Sequence, residues 1–107
     1  MSVNKVILVG NLGADPEKRG PATRLRLATS EKRKQGEEWV DHTEWHNVTC
    51  FGSTADNVMK FCKKGKQLYI EGKIRTTKYQ DREGVDRWST EVIADRVAFL
   101  GAREEGR

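Results

Sequence analysis

The chain has 107 residues, one domain's worth, with room for a single modest core. Hydrophobic residues make up 36% and charged residues 34%, which favours a small barrel over a large layered fold. Twenty Lys and Arg against sixteen Asp and Glu leave +4, too mild an excess to identify a nucleic-acid binder by itself, so the placement of the charges must decide.

Residues 3–12 (VNKVILVGNL) predict a first strand that is apolar on both faces from Val6 to Val9. Such strands are usually covered on both sides, so one face suits the domain's core and the other a subunit contact. Gly10 and Gly13 permit sharp coiling, and Asp15-Pro16 closes the element. After the tight connection Lys18-Arg19-Gly20-Pro21, residues 23–29 alternate, with Leu25 and Leu27 pointing one way and Arg24, Arg26 and Ala28 the other. This is a half-buried strand with a basic outer face. Residues 31–38 are wholly polar around Gly36 and predict a mobile hairpin tip.

Residues 43–52 (TEWHNVTCFG) predict the third strand, starting as early as Trp39. Residues two apart share a face, so Trp45, Asn47, Thr49 and Phe51 line up, with His46, Val48 and Cys50 opposite. An aromatic at each end with small polar residues between is an odd core face, but it suits a surface for stacking flat rings. The period then changes. Ser53 and Thr54 offer an N-cap with Asp56 at the positive end, and Ala55, Val58, Met59 and Cys62 form one apolar stripe. Lys63 and Lys64 fall in the last turn and Gly65 stops a helix of about ten residues.

Residues 66–79 predict a long fourth strand. Leu68, Ile70, Gly72 and Ile74 form its inner face, and Tyr69, Glu71, Lys73, Arg75, Thr77 and Tyr79 its outer face. Asp81-Arg82-Glu83-Gly84 makes a turn, and residues 85–100 return as the fifth strand. The order is three strands, a helix, then two strands. The expected fold is therefore all-β, a five-stranded Greek-key OB barrel with one short α-helix between strands 3 and 4. One such domain fills residues 1–107, with its core at about 3–100.

No catalytic constellation is found, and an enzyme is not expected. His42, His46 and Cys50 lie four apart, about 13 Å between neighbours along a strand, so they cannot share a metal. No metal or other cofactor is expected. Cys50 and Cys62 read as small buried hydrophobes rather than a disulfide. No stretch approaches the ~20 apolar residues that span a bilayer, and the first residues do not read as a signal peptide, so a cytoplasmic, nucleoid-associated protein is expected.

What stands out is cations interleaved with rings on outward faces. Trp45 and Phe51 lie on the third strand, Tyr79 ends the fourth, Lys73 and Arg75 share its face, Arg24 and Arg26 line the second, and Arg87-Trp88 adds to the fifth. Single-stranded nucleic acid asks for this mixture, because cations follow phosphates while rings stack on bases without regard to sequence. The competing reading makes the rings core and the cations a solvated surface. The same-face pair Trp45 and Phe51 argues against it. Trp88 suits either ligand contact or packing, and Trp39 either rims the site or closes the hairpin base.

At these residues the chain resembles the bacterial single-stranded DNA-binding protein family. The resemblance runs from Val3 to about Leu100 through VNKVILVGNLG with Asp15-Pro16-Glu17, Leu27-Ala28-Thr29-Ser30, Thr43-Glu44-Trp45-His46, Phe51-Gly52, Tyr69-Ile70-Glu71-Gly72 and Thr90-Glu91-Val92. It implies an OB-fold homotetramer that binds and protects single-stranded DNA, independently of sequence, in replication, recombination and repair. Trp45, Phe51 and Tyr79 match the family's stacking aromatics, and Lys64, Arg75 and Lys78 match basic positions near its DNA path. With them go Arg24, Arg26, Arg33, Lys73 and Arg87 as candidate phosphate contacts, and Trp88 and Trp39 as candidate rings. Lys5, Val6, Leu8 and His46 are the candidate subunit interface, His46 matching a histidine associated with assembly.

Three departures matter. Lys32 and Arg33 stand where relatives place a tryptophan, which Trp39 could replace; Asn47 replaces a basic residue of some members. The sequence closes on Glu104-Glu105-Gly106-Arg107 without the family's Gly/Gln/Pro-rich tail and acidic tip, so tail-mediated recruitment of replication and repair enzymes is not expected of these residues. Two other readings stand beside this one, a primosome-type dimeric OB-fold adaptor and an OB-fold protein-interaction module.

Overall fold

The computed structural model describes residues 1–101. It contains β1 (Val6–Leu12), β2 (Glu17–Arg19), β3 (Ala22–Gln35), β4 (Glu38–Phe51), α1 (Gly52–Phe61), β5 (Gln67–Gln80) and β6 (Asp86–Phe99). The sheet runs β1-β5-β6-β4-β3-β2, and β1 also pairs with β3, which closes five strands into a barrel and leaves β2 on the edge of β3. The β4–β6 contact is parallel and the other pairings are antiparallel. This is the expected all-β OB barrel, with its helix between the third and fourth barrel strands.

Closure depends on β1 changing partner. It pairs with β5 from Val6 to Asn11, then with β3 through Asn11 and Leu12. Gly10 sits at the crossing, where a β-carbon would overlap the carbonyl of Ala28, so only glycine lets the strands approach. Leu12, Leu25, Leu27, Val48, Cys50, Leu68, Ile70 and Val92 fill the interior, joined by Ala55, Val58 and Cys62 from the helix side. A fully buried Leu, Ile or Val contributes roughly 1.5–3 kcal/mol over an exposed one. The alternation expected in β3 and β4 therefore holds: Leu25, Leu27, Val48 and Cys50 are inside.

Several local expectations change. Within residues 31–38, β3 and β4 stay paired out to Gln35 and Glu38. The turn is only Gly36-Glu37, with Gly36 at φ +64°, the glycine-first arrangement of a tight hairpin turn. The helix starts two residues earlier than a Ser53 cap suggests: Phe51 is its N-cap, with no side-chain capping bond. It ends at Phe61, with Cys62 as C-cap, so Lys63 and Lys64 lie past the last turn, where Lys60 stands. Met59 is 40% exposed and leaves the apolar stripe to Ala55, Val58 and Cys62.

Ile74, expected inside, is also exposed. A β-bulge lies just before it: Glu71 pairs with Arg96 and Gly72 with Ala94, leaving Asp95 unmatched. Ile74 stands opposite the core residue Val92 but lies past Gly72, where the β1–β5 pairing ends, so β1 does not cover it. Gly72 is obligatory there, since a β-carbon would overlap the carbonyl of Ile93.

On β1, Val6 and Leu8 turn toward the core, half-buried, because they share parity with buried Gly10 and Leu12. The exposed apolar pair is Ile7 and Val9 instead. Val6 and Leu8, expected at the outer contact, are partly buried against the core, and Ile7 and Val9 hold the more open face of the strand. Lys5 pairs with Glu71 at 2.8 Å beside it, and the Tyr69 hydroxyl donates to Glu71 Oε1 at 2.8 Å. Just before β1, the Asn4 side-chain amide exchanges two hydrogen bonds with the backbone of Ile74, tying the start of the chain to β5.

Candidate nucleic-acid interface

The register sets which candidates share a side. Across β3 and β4, Ala22 pairs with Phe51, Arg24 with Thr49, Arg26 with Asn47 and Ala28 with Trp45, so all eight side chains face one way. β6 continues this face from β4 at Thr49, opposite Ile93, and β5 follows with Lys73 opposite Ile93, Arg75 opposite Glu91 and Tyr79 opposite Arg87. The face therefore carries three rings, Trp45, Phe51 and Tyr79, together with Arg24, Arg26, Lys73, Arg75 and Arg87. Relative exposures of 48% for Trp45, 44% for Phe51 and 50% for Tyr79 leave each ring half open. That settles the choice between core and surface for these three.

Trp45 is held in place rather than left loose. Small Ala28 stands across from it, the Arg26 guanidinium lies 5.2 Å from its ring centroid, and its outer edge packs against Gly13. Gly13 is itself anchored, its amide donating to the carbonyl of Arg26 at 2.9 Å. Cation–π contact and glycine packing restrict the indole, which lowers the entropy lost when a flat ligand stacks on it. A groove of about 230 Å³ beside it runs past Asn47, Arg24 and Arg26 to Ala14 and Asp15. Lys64 lies at that end of the barrel, its amide donating to Asp15 Oδ1 at 2.8 Å.

The cations differ in what already holds them. Arg75 Nη2 reaches Glu91 Oε2 at 3.2 Å, Lys78 meets Asp86 at 3.3 Å, Arg87 meets Asp81 at 3.0 Å and Arg33 meets Glu31 at 3.0 Å. Among the described residues, Arg24, Arg26, Lys64 and Lys73 have no carboxylate within salt-bridge distance. Asp81 also organises the β5–β6 turn, accepting from the amides of Glu83 at 2.9 Å and Val85 at 3.0 Å. Those amide bonds, that of Val85 first, and then Arg87 hold its carboxyl below the usual range.

Glu91 is the residue that the sequence did not single out. It accepts from the Thr49 hydroxyl on one oxygen and from Arg75 on the other. Burial pushes its carboxyl up, but the Thr49 bond and Arg75 outweigh burial and hold it below the usual range. Thr49 is consequently buried in the middle of an otherwise open row.

The remaining candidates lie elsewhere. Trp88 and Lys78 pair across the β5–β6 ribbon on its opposite side, the Lys78 ammonium 5.8 Å from the Trp88 ring centroid. Trp88 is 63% exposed, so it does not pack in the core. Trp39 shares the parity of Trp45 far out on the β3–β4 ribbon, opposite Lys34, and it too is open. Arg33 pairs with Val40 and so takes the other side of that ribbon. His46 is half-buried, Nε2 lying 2.8 Å from the Thr29 hydroxyl, on the core side of β4. Among the described residues no three His, Cys, Asp or Glu gather as metal ligands, and no helix is long and apolar enough to cross a membrane.

Residues 3–100 match the family model described as the single-strand binding protein family. The chain belongs to that family. Among solved structures it is similar to Plasmodium falciparum SSB in a complex with ssDNA, at 26% identity and a TM-score of 0.84, over 94% of this chain and 97% of that one. Membership in the single-strand binding protein family makes this a binding protein rather than an enzyme. It also covers the whole barrel, from the strand that carries Ile7 and Val9 to the end of β6.

Proposed function

We propose that this chain binds and protects single-stranded DNA without regard to sequence, in replication, recombination and repair, as a nucleoid-associated protein of the cytoplasm. The observation that carries the reading is one face of β3–β6 holding Trp45, Phe51 and Tyr79 half-exposed among Arg24, Arg26 and Lys73. Bases stack on the three rings at about 1–3 kcal/mol each, while the cations take phosphates. Lys64 extends the phosphate track at one end of the row, Arg75 stands at its middle bonded to Glu91, and Arg87 lies beside Tyr79. Trp39 would add a ring where the β3–β4 ribbon reaches out, in place of the loop tryptophan of relatives. Lys78 and Trp88 contact the strand where it passes the far side of the β5–β6 ribbon, and Arg33 does so on the far side of the β3–β4 ribbon.

The working unit is a homotetramer of this single OB domain. Its support is the open apolar pair Ile7 and Val9, bordered by the Lys5–Glu71 ion pair, with Val6, Leu8 and His46 backing it from the barrel side. Residues 102–107, where the family's tail begins, lie outside the described structure. The recruitment of other enzymes through such a tail is not assigned to this chain.

The test is intrinsic tryptophan fluorescence during titration with oligo-deoxythymidine at two salt concentrations, alongside mass by light scattering. Strong quenching that weakens with salt is expected, with a mass of four subunits. No quenching would favour a protein-interaction module, and a dimer would favour the primosome-type adaptor.

A further inference from the structure

Within residues 24–30 of β3, 45–51 of β4, 73–79 of β5 and 87–93 of β6, the register puts one acidic side chain on the aromatic face: Glu91. (Glu17, at the edge across from Arg24, is turned to Arg19 at 2.7 Å.) Glu91 is central. It stands beside Thr49, which lies between Asn47 and Phe51 in the row, and opposite Arg75. Its side chain is 14% exposed, and both oxygens are occupied, by the Thr49 hydroxyl and by Arg75 Nη2. It cannot swing aside when a ligand arrives. A neutral acceptor would satisfy the Thr49 hydroxyl equally well, and an ion pair whose Arg75 side is 51% exposed adds little stability. The feature to be explained is thus a carboxylate that neutralises Arg75 in the middle of a surface built for a polyanion.

Resting on the single-strand reading above, we propose that Glu91 is a selectivity residue that bars phosphate from the centre of the platform. Bases are neutral and turn inward onto Trp45, Phe51 and Tyr79, while the phosphates run along the flanks at Arg24 and Lys73. A polyanion without bases has nothing to place at the centre and finds no free cation there, because Glu91 already holds Arg75. Selection for nucleic acid then comes from denying the wrong ligand a central cation as much as from attraction of the right one.

The test measures binding of inorganic polyphosphate and of oligo-deoxythymidine, matched in charge, to the full chain and to Glu91→Gln at one salt concentration. Removing one fixed charge a few ångströms from a phosphate is expected to tighten polyphosphate binding about tenfold and thymidine binding by less than about threefold. Thr49→Val removes the donor but keeps the charge, and should leave the selectivity as it is. Equal tightening of both ligands, no tightening of polyphosphate, or loss of selectivity in Thr49→Val would overturn the proposal. Should Glu91→Gln not fold, Glu91→Thr faces Thr49 without a charge and takes the same test. Failure of the wild-type chain to bind thymidine would sink the function and leave the polyphosphate comparison readable on its own.

Discussion

The six-membered ring of Trp45 packs so closely on Gly13 that a β-carbon there would overlap Cζ3 and Cη2. A backbone position 32 residues away thus decides where this ring of the platform stands. Gly13→Ala should displace the indole, shift its emission and weaken single-strand binding, while Trp45→Ala should cost about 1–3 kcal/mol of affinity. The loss in Trp45→Ala should be equal on thymidine, cytidine and adenosine homopolymers. Unchanged binding to thymidine would remove Trp45 from the platform.

Cations already engaged by carboxylates release fewer counterions than open ones. Lys73→Ala should reduce the slope of log affinity against log salt by about 0.7, one phosphate contact on a single strand. Arg87→Ala should change it less, because Arg87 is bonded to Asp81 before any ligand arrives. Equal changes in the two variants would contradict the pairing seen here.

Four carboxyls are held below their ordinary range: Glu71 chiefly by Lys5, Glu44 by His42, Asp81 by the Val85 amide, and Glu91 by Thr49 and Arg75 against its burial. A depressed folded value means that the unfolded chain binds more protons as pH falls below the ordinary carboxylate range. The stability they contribute is complete above that range and is lost as pH drops through the lowered values. The melting temperature should therefore fall on acidification in that window and show no comparable loss from these groups near neutrality. A flat profile down to the acid limit would contradict these bonds.

Burial pushes the Cys50 thiol up to about 11 and raises that of Cys62 as well. Both should remain protonated and closed to a thiol reagent at neutral pH until the barrel unfolds. Labelling should follow the denaturation curve. Stoichiometric reaction of the native chain would place one of them outside the core.

Gly72→Ala would drive a β-carbon into the Ile93 carbonyl at the bulge, a forced backbone shift of the kind that costs about 1–3 kcal/mol. Chemical denaturation should show that loss. Because the bulge also aims the ribbon that carries Tyr79, single-strand affinity should fall with it.

Much of this was legible in the sequence for a simple reason. Strand alternation has a period of two, so Leu25 and Leu27 against Arg24 and Arg26, and Trp45 and Phe51 against Val48 and Cys50, could be assigned to faces without coordinates. The glycine and proline punctuation separated five barrel strands, and the helical stripe of Ala55, Val58 and Cys62 placed the one helix. Where reading failed, the cause was non-local. Val6 and Leu8 against Ile7 and Val9 is a choice between two equally apolar faces, which only the pairing of β1 with β5 resolves. Ile74 has the right parity for the core but lies beyond the end of the β1–β5 pairing, which is set by a strand distant in sequence.

The sequence by itself determined the barrel, its helix, and the row Trp45, Asn47, Thr49 and Phe51, because each depends on the spacing of residues along one segment. Tertiary structure alone decided which cations stand in that row and which are taken by carboxylates, since register between strands puts Lys78 and Trp88 on one side of a ribbon and Tyr79 and Arg87 on the other. It also decided that Thr49 is covered, and by what. A hydroxyl on β4 and a guanidinium on β5 meet one carboxylate on β6 only when three strands distant in sequence are brought into one sheet.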